Sequence, residues 1–102
     1  MKLLTKEIET KLNKYPMLSQ DGKGEKANVI VKFFNPCGSG TWLITEGEKL
    51  ENGDWLLFGL CHIQEWEWGE VLLSELESIR LPMGLGIERD MYSSGTVGEL
   101  KR

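Results

Sequence analysis

Trp55-Leu-Leu-Phe-Gly-Leu-Cys61 and Gln64-Glu-Trp-Glu-Trp68 decide how this chain reads. The first run is apolar almost throughout, the pattern of a strand covered on both faces. The second alternates strictly. As a strand it puts Trp66 and Trp68 on one side and Glu65 and Glu67 on the other. Gly69 then interrupts, and Glu70-Val-Leu-Leu73 completes the strand after a bulge or bend. Working back, Thr41-Trp-Leu-Ile-Thr45 is a further strand, with Trp42 and Ile44 on one face. Glu46-Gly-Glu48 opens a polar connection that ends at Glu51-Asn-Gly-Asp54, and Asn-Gly between apolar runs is a hairpin signal. Asn28-Val-Ile-Val-Lys-Phe-Phe34 is β-branched and aromatic, and Asn35-Pro-Cys-Gly-Ser-Gly40 closes it with turn residues. Short connections favour antiparallel neighbours, so residues 28–73 predict a four-stranded antiparallel meander.

Outside the meander, Leu4, Ile8, Leu12 and Tyr15 make one stripe of an α-helix within residues 1–16. Thr5 caps it, Glu7 and Glu9 suit its first turn, and Pro16 stops it. The stripe needs a surface, and one face of the sheet supplies it. Ser19 to Lys26 reads as a mobile loop. In residues 74–102, Ser74 and Glu77 match a capping box, predicting a short helix over roughly Glu75–Arg80. Pro82, Gly84 and Gly86 then enforce a looping segment, and Ser93 to Gly95 is a turn. Thr96 and Glu99 form a weaker capping box that Gly98 opposes, so fraying is expected there. The expected fold is α+β, a single domain over residues 1–102.

The 102 residues are 40% hydrophobic and 27% charged, with a net charge of −4. That balance is ordinary for a globular protein, and no apolar run approaches the roughly 20 residues that cross a bilayer. Met1-Lys-Leu-Leu4 meets charge again at Lys6, which is unlike a signal peptide, so a cytoplasmic location is expected. The charge is unevenly spread. Residues 1–32 hold seven lysines against four acids. Residues 46–77 hold nine acids (Glu46, Glu48, Glu51, Asp54, Glu65, Glu67, Glu70, Glu75, Glu77) against Lys49 alone, a net of −8. An acidic span opposes direct nucleic-acid binding and favours a basic partner, although solvated carboxylates also serve plain solubility.

Few residues suggest chemistry. Cys37 and Cys61 are too few for a disulfide framework and read as buried, reduced thiols. His62 beside Cys61 points to the opposite strand face, so the two do not share a metal. Gly84-Leu-Gly86 lacks the third glycine of a dinucleotide fingerprint. Carboxylates two apart in a strand or loop are a solvated face more often than an acid–base pair. No catalytic residue, metal site or cofactor is expected. Trp66 and Trp68 are core residues or, if exposed, hot spots for a protein partner. Acids interleave them, which opposes a nucleic-acid stacking platform.

Lys2-Leu-Leu-Thr-Lys-Glu-Ile8, Val31-Lys-Phe-Phe-Asn-Pro36, Thr41-Trp42 with Thr45-Glu-Gly-Glu48, Leu73-Ser-Glu-Leu-Glu-Ser78 with Arg80, and Gly84-Leu-Gly-Ile-Glu-Arg-Asp90 with Tyr92 occur in that order. In these blocks the chain resembles the domain-of-unknown-function family 2958, small proteins of bacterial plasmids, integrative elements and phages. The Cys37-Gly-Ser-Gly40 turn departs from the pattern. The resemblance implies no activity and no site residues. It does imply a setting, a mobile element on which antirestriction and other anti-defence genes lie nearby.

Together these features predict a non-enzymatic, acidic inhibitor of host defence, of anti-CRISPR or antirestriction type. It would bind a basic nucleic-acid-binding surface on a protein target, for example a CRISPR effector nuclease. The alternative is a small enzyme or ligand-binding module of mobile-element maintenance. Candidate partner-binding residues are Glu46, Glu48, Glu65, Trp66, Glu67, Trp68 and Glu70, with the charged cluster Glu88, Arg89 and Asp90.

Overall fold

The computed structural model of the chain describes residues 2–90 and 94–101; Tyr92 and Ser93, used in the sequence reading, lie outside the described residues. Five antiparallel strands form one sheet in the order β4-β3-β2-β1-β5. They are β1 (Val31–Phe34), β2 (Thr41–Lys49), β3 (Trp55–His62), β4 (Trp66–Leu72) and β5 (Glu88–Arg89). The first four make the expected meander. The fifth was not foreseen, because two residues are too few to show alternation. It pairs with β1 through Phe33↔Arg89 and Phe34↔Glu88.

The polar connection expected from Glu46 to Asp54 is largely strand. The register of β2 with β3 shifts between Ile44 and Glu46, so Thr45 is bulged and β2 runs on to Lys49. The loop shrinks to Glu51-Asn52-Gly53, closed by the Leu50 N–H donating to the Asp54 carbonyl at 2.8 Å, with Gly53 at φ 89°. Gly59 lies opposite this bulge. A Cβ there would fall 1.9 Å from the Leu43 carbonyl oxygen, so only glycine fits. The bulge expected at Gly69 is absent. β3 and β4 pair without a shift from Leu56↔Leu72 to His62↔Trp66, and Gly69 sits directly opposite Gly59.

The main core lies on one face of the sheet. Val31, Phe33, Trp42, Ile44, Trp55 and Leu57 are buried there beneath Leu3, Leu4, Leu12, Leu76 and Ile87. Helix α1 (Lys6–Asn13) is capped by Thr5, whose hydroxyl accepts the Ile8 N–H at 3.2 Å. Leu12 lies over Gly47 of β2, whose missing Cβ would stand 3.2 Å from Leu12 Cδ2. Leu4 precedes the helix and Ile8 is only partly buried, so Leu12 anchors it rather than the full stripe. Helix α2 (Leu73–Ser78) starts earlier than expected, and Ser74 is not its cap. Glu75 accepts the Leu72 N–H at 2.9 Å, Glu77 accepts the Leu3 N–H at 3.2 Å, and Ser74 turns to Asp54.

A smaller core covers part of the other face, where Leu43 and Leu60 meet Ala27 and Val97. Helix α3 (Val97–Leu100) supplies Val97 and is seated rather than frayed. Thr96 and Glu99 form the capping box, with the Thr96 N–H donating to Glu99 at 2.8 Å. Gly98, which argued against a helix, is what lets it approach: a Cβ there would press on Glu25 at 3.1 Å. Among the described residues no helix is long and apolar enough to cross a membrane.

Candidate functional site

The nine acids of residues 46–77 divide into two groups. Glu46, Asp54, Glu75 and Glu77 hold the fold. Glu48, Glu51, Glu65, Glu67 and Glu70 are exposed, and their carboxylates bond to no described residue. Strand register places this second group. Glu67 pairs with Cys61 and lies on the main-core side of the sheet, while Glu70 pairs with Phe58 and Glu48 with Leu56 on the other side. Glu65 is in the bend before β4, not on the strand.

Glu46 was a candidate partner-binding residue, and the structure corrects this. It is 3% exposed, and its two carboxylate oxygens accept the Leu18 N–H at 2.9 Å and the Gln20 N–H at 2.8 Å. Gln20 completes the arrangement. Its amide donates to the Asn28 and Thr45 carbonyls and accepts the Asn28 N–H, each at 2.8 Å. A buried carboxylate needs donors, and here the 18–20 backbone provides them. The Ser19–Lys26 segment is therefore tied to the bulge at Thr45, not the loose loop expected.

The two tryptophans share one face, as the alternation requires, but differ in role. Trp66 is half-buried on the smaller core, with its ring 4.9 Å from His62. Trp68 is 44% exposed and stacks on Phe58 at 5.8 Å between centroids, with 14° between planes. Beside this ring pair lies a cleft of about 400 Å³, walled by Gln20, Asp21, Gly22, Thr45 and Glu46. Ile63, at the turn before β4, is also exposed.

The Glu88-Arg89-Asp90 cluster does not join this face. Glu88 and Arg89 form β5, with Asp90 just after it, at the opposite edge of the sheet from β4. Four strand spacings of about 4.8 Å put some 19 Å between the two edges. Arg89 donates to the Lys2 and Leu3 carbonyls at 3.2 and 2.9 Å, fastening the N-terminal segment. Asp90 faces Lys32 at 3.7 Å, and its N–H donates to the Lys32 carbonyl. Arg89 is thus engaged in the fold.

Cys37 is exposed, contrary to the buried reading, and Cys61 is half-buried; both are free thiols. Burial pushes the Cys61 thiol up to about 11. Cys61 packs toward the main core and His62 toward Trp66, so the two lie on opposite faces. Among the described residues no three of His, Cys, Asp and Glu gather as metal ligands would.

What the structure brings together is the β4 edge of the sheet: Glu65 in the bend before the strand, Glu67 on its main-core face, and Glu70 beside Trp68 over Phe58 on the other, while Glu48 lies two strands away on β2. Phe58 and Gln20 had no signal of a site in the sequence. Phe58 sat inside an apolar run, and Gln20 finds its partners 8 and 25 residues away. No curated protein and no solved structure matches the chain at a significant level. A family model does, over residues 3–98, described as a protein of unknown function (DUF2958). The match covers nearly the whole chain, which therefore belongs to the DUF2958 family.

Proposed function

We propose that this protein is a non-enzymatic binding protein that presents the β3–β4 end of its sheet to a basic protein surface. The observation that carries the reading is the exposed set Glu65, Glu67 and Glu70 along β4 and the bend before it, with Trp68 exposed on the same strand and no cation from residue 63 to residue 72. Unpaired carboxylates there accelerate encounter with a positive surface, and an exposed tryptophan supplies contact area once docked. The same charge repels phosphate, so nucleic acid is a competitor, not a ligand. The setting implied by the sequence resemblance supports a target among host defence nucleases, with inhibition by occupying the nucleic-acid channel. The test is affinity capture from nuclease-treated host lysate, followed by competition with DNA and RNA. A captured nuclease displaced by its own nucleic-acid substrate supports the reading. A captured partner bound equally well in the presence of nucleic acid rejects channel occupancy.

One observation favours a second reading, a ligand-binding module of mobile-element maintenance. The cleft of about 400 Å³ beside Phe58 and Trp68 has the size of a small-molecule site. Native mass spectrometry of protein purified from its host decides between them. A bound mass lost on Trp68→Ala supports the module.

A further inference from the structure

The outer edge of β4 has a backbone row that the register makes readable. The Leu50 N–H donates to the Asp54 carbonyl at the base of the β2–β3 hairpin. Main-chain groups alternate sides along a strand, so even-numbered residues of β3 face β2 and odd-numbered ones face β4. The bulge lies in β2 and leaves this alternation in β3 intact. Leu57↔Val71, Gly59↔Gly69 and Cys61↔Glu67 are then the bonded pairs with β4. Trp66, Trp68, Glu70 and Leu72 direct their N–H groups off the sheet. Leu72 bears this out, because its N–H is taken by the Glu75 carboxylate at 2.9 Å instead of by a strand. Among the described residues nothing pairs with the other three, and β4 is the terminal strand.

We propose that a basic, extended segment of the protein partner adds to this edge as a sixth strand, bonding the main chain of Trp66, Trp68 and Glu70. This rests on the acidic-face reading above and names its contact. Free main-chain groups along a strand of this length are a template for strand addition. Charge selects the occupant. Glu65, Glu67 and Glu70 line the edge without a cation, so a second copy of β4 would place six carboxylates along one ladder. Like charges across a ladder destabilise it, and that is how edges are kept from self-pairing. A strand carrying lysine or arginine meets the opposite condition. Its side chains on one face fall beside Glu67, and on the other beside Trp68 and Glu70, where a cation can also lie against the indole.

The probe is an acetylated seven-residue peptide alternating lysine and valine, titrated into the isotopically labelled protein. Amide exchange at Trp66, Trp68 and Glu70 should slow by about tenfold or more, while Glu67 and Gly69, already bonded to β3, stay unchanged. A glutamate–valine peptide of the same length should do nothing. Glu70→Pro and Glu70→Gln lose the same charge, but only proline removes the outward N–H. The proline variant should bind the peptide about tenfold more weakly than the glutamine variant, the loss expected for one good hydrogen bond. Exchange at the three amides that is unchanged at saturating peptide overturns the proposal, and this needs no variant to fold. So does equal binding by the two variants, equal binding of the acidic peptide, or dimerisation of the protein through β4. If carboxylate variants weaken a captured partner while the peptide leaves the amides unprotected, strand addition alone falls. If the amides are protected but charge has no effect, the acidic-face reading falls.

Discussion

Replacing Glu46 by Gln separates structural acids from surface acids in a single chain. The carboxylate holds two backbone N–H groups at 2.8 and 2.9 Å, and both must stay satisfied when buried. Glutamine keeps one acceptor oxygen and turns an NH₂ donor toward the other N–H. One charge-assisted bond is lost, and a buried donor is left without a partner, at a cost of about 2–3 kcal/mol. For a chain of this size that lowers Tm by about 10–20 °C. Glu48→Gln, two residues on and exposed, should change stability by less than about 0.5 kcal/mol. Urea unfolding followed by circular dichroism measures both. Equal midpoints for the two variants would refute the assignment of Glu46 to the fold, and with it the tie between the 18–20 segment and the bulge.

Gly59→Ala should cost about 3 kcal/mol or more, or prevent folding, because its Cβ would overlap the Leu43 carbonyl oxygen. Gly69→Ala, directly across the ladder with nothing within 4 Å of its Cβ, should stay within about 1 kcal/mol of the parent on the same unfolding assay. Titration with a chromogenic disulfide at pH 8 should find one fast thiol, Cys37, and a second only on unfolding; Cys61, with its pKa raised to about 11, is almost wholly protonated there. Two thiols reacting together would contradict this. The Ser74 hydroxyl, with the Trp55 and Ser74 N–H groups, holds the Asp54 carboxyl below its ordinary value of 3.8. A depressed folded-state pKa adds stability above the unfolded value, and that stability is lost as pH falls through the folded pKa. The difference between the parent and Ser74→Ala should therefore be present at neutral pH and vanish in acid, and the Asp54 midpoint, followed by NMR, should rise in the variant.

Much of the fold was legible because its signals are local. The Gln64–Trp68 alternation, Asn52-Gly53 and the Thr5 cap each act within a few residues, and each has its counterpart in the structure. What was missed depends on distance. Glu46 and Glu48 look alike in sequence; only the 18–20 backbone folding over the sheet makes one a buried anchor and the other a surface charge. The bulge at Thr45 resets alternation, so residues 46–49 read as a loop when they continue β2. Ser74 looked like a helix cap until Asp54, 20 residues away, claimed it. Gly98 looked unfavourable until Glu25 lay against it. For the candidate site, the tryptophans and most of the acids were visible. The split of Glu88, Arg89 and Asp90 to the far edge followed from a two-residue strand that no periodicity reveals.

The role of the exposed acids is tested most directly by association kinetics with the captured partner. Glu65, Glu67 and Glu70 changed together to Gln should leave folding intact, because solvated carboxylates add little stability. The triple variant should associate more slowly, and the salt dependence of its on-rate should shrink, since exposed charges act on encounter and are screened within about 8–10 Å at ordinary salt. Changing Glu7, Glu9 and Glu25 removes the same formal charge from the lysine-rich third of the chain and should have a much smaller effect. Wild-type kinetics for the first triple variant at low salt, or equal slowing by both, would contradict the account.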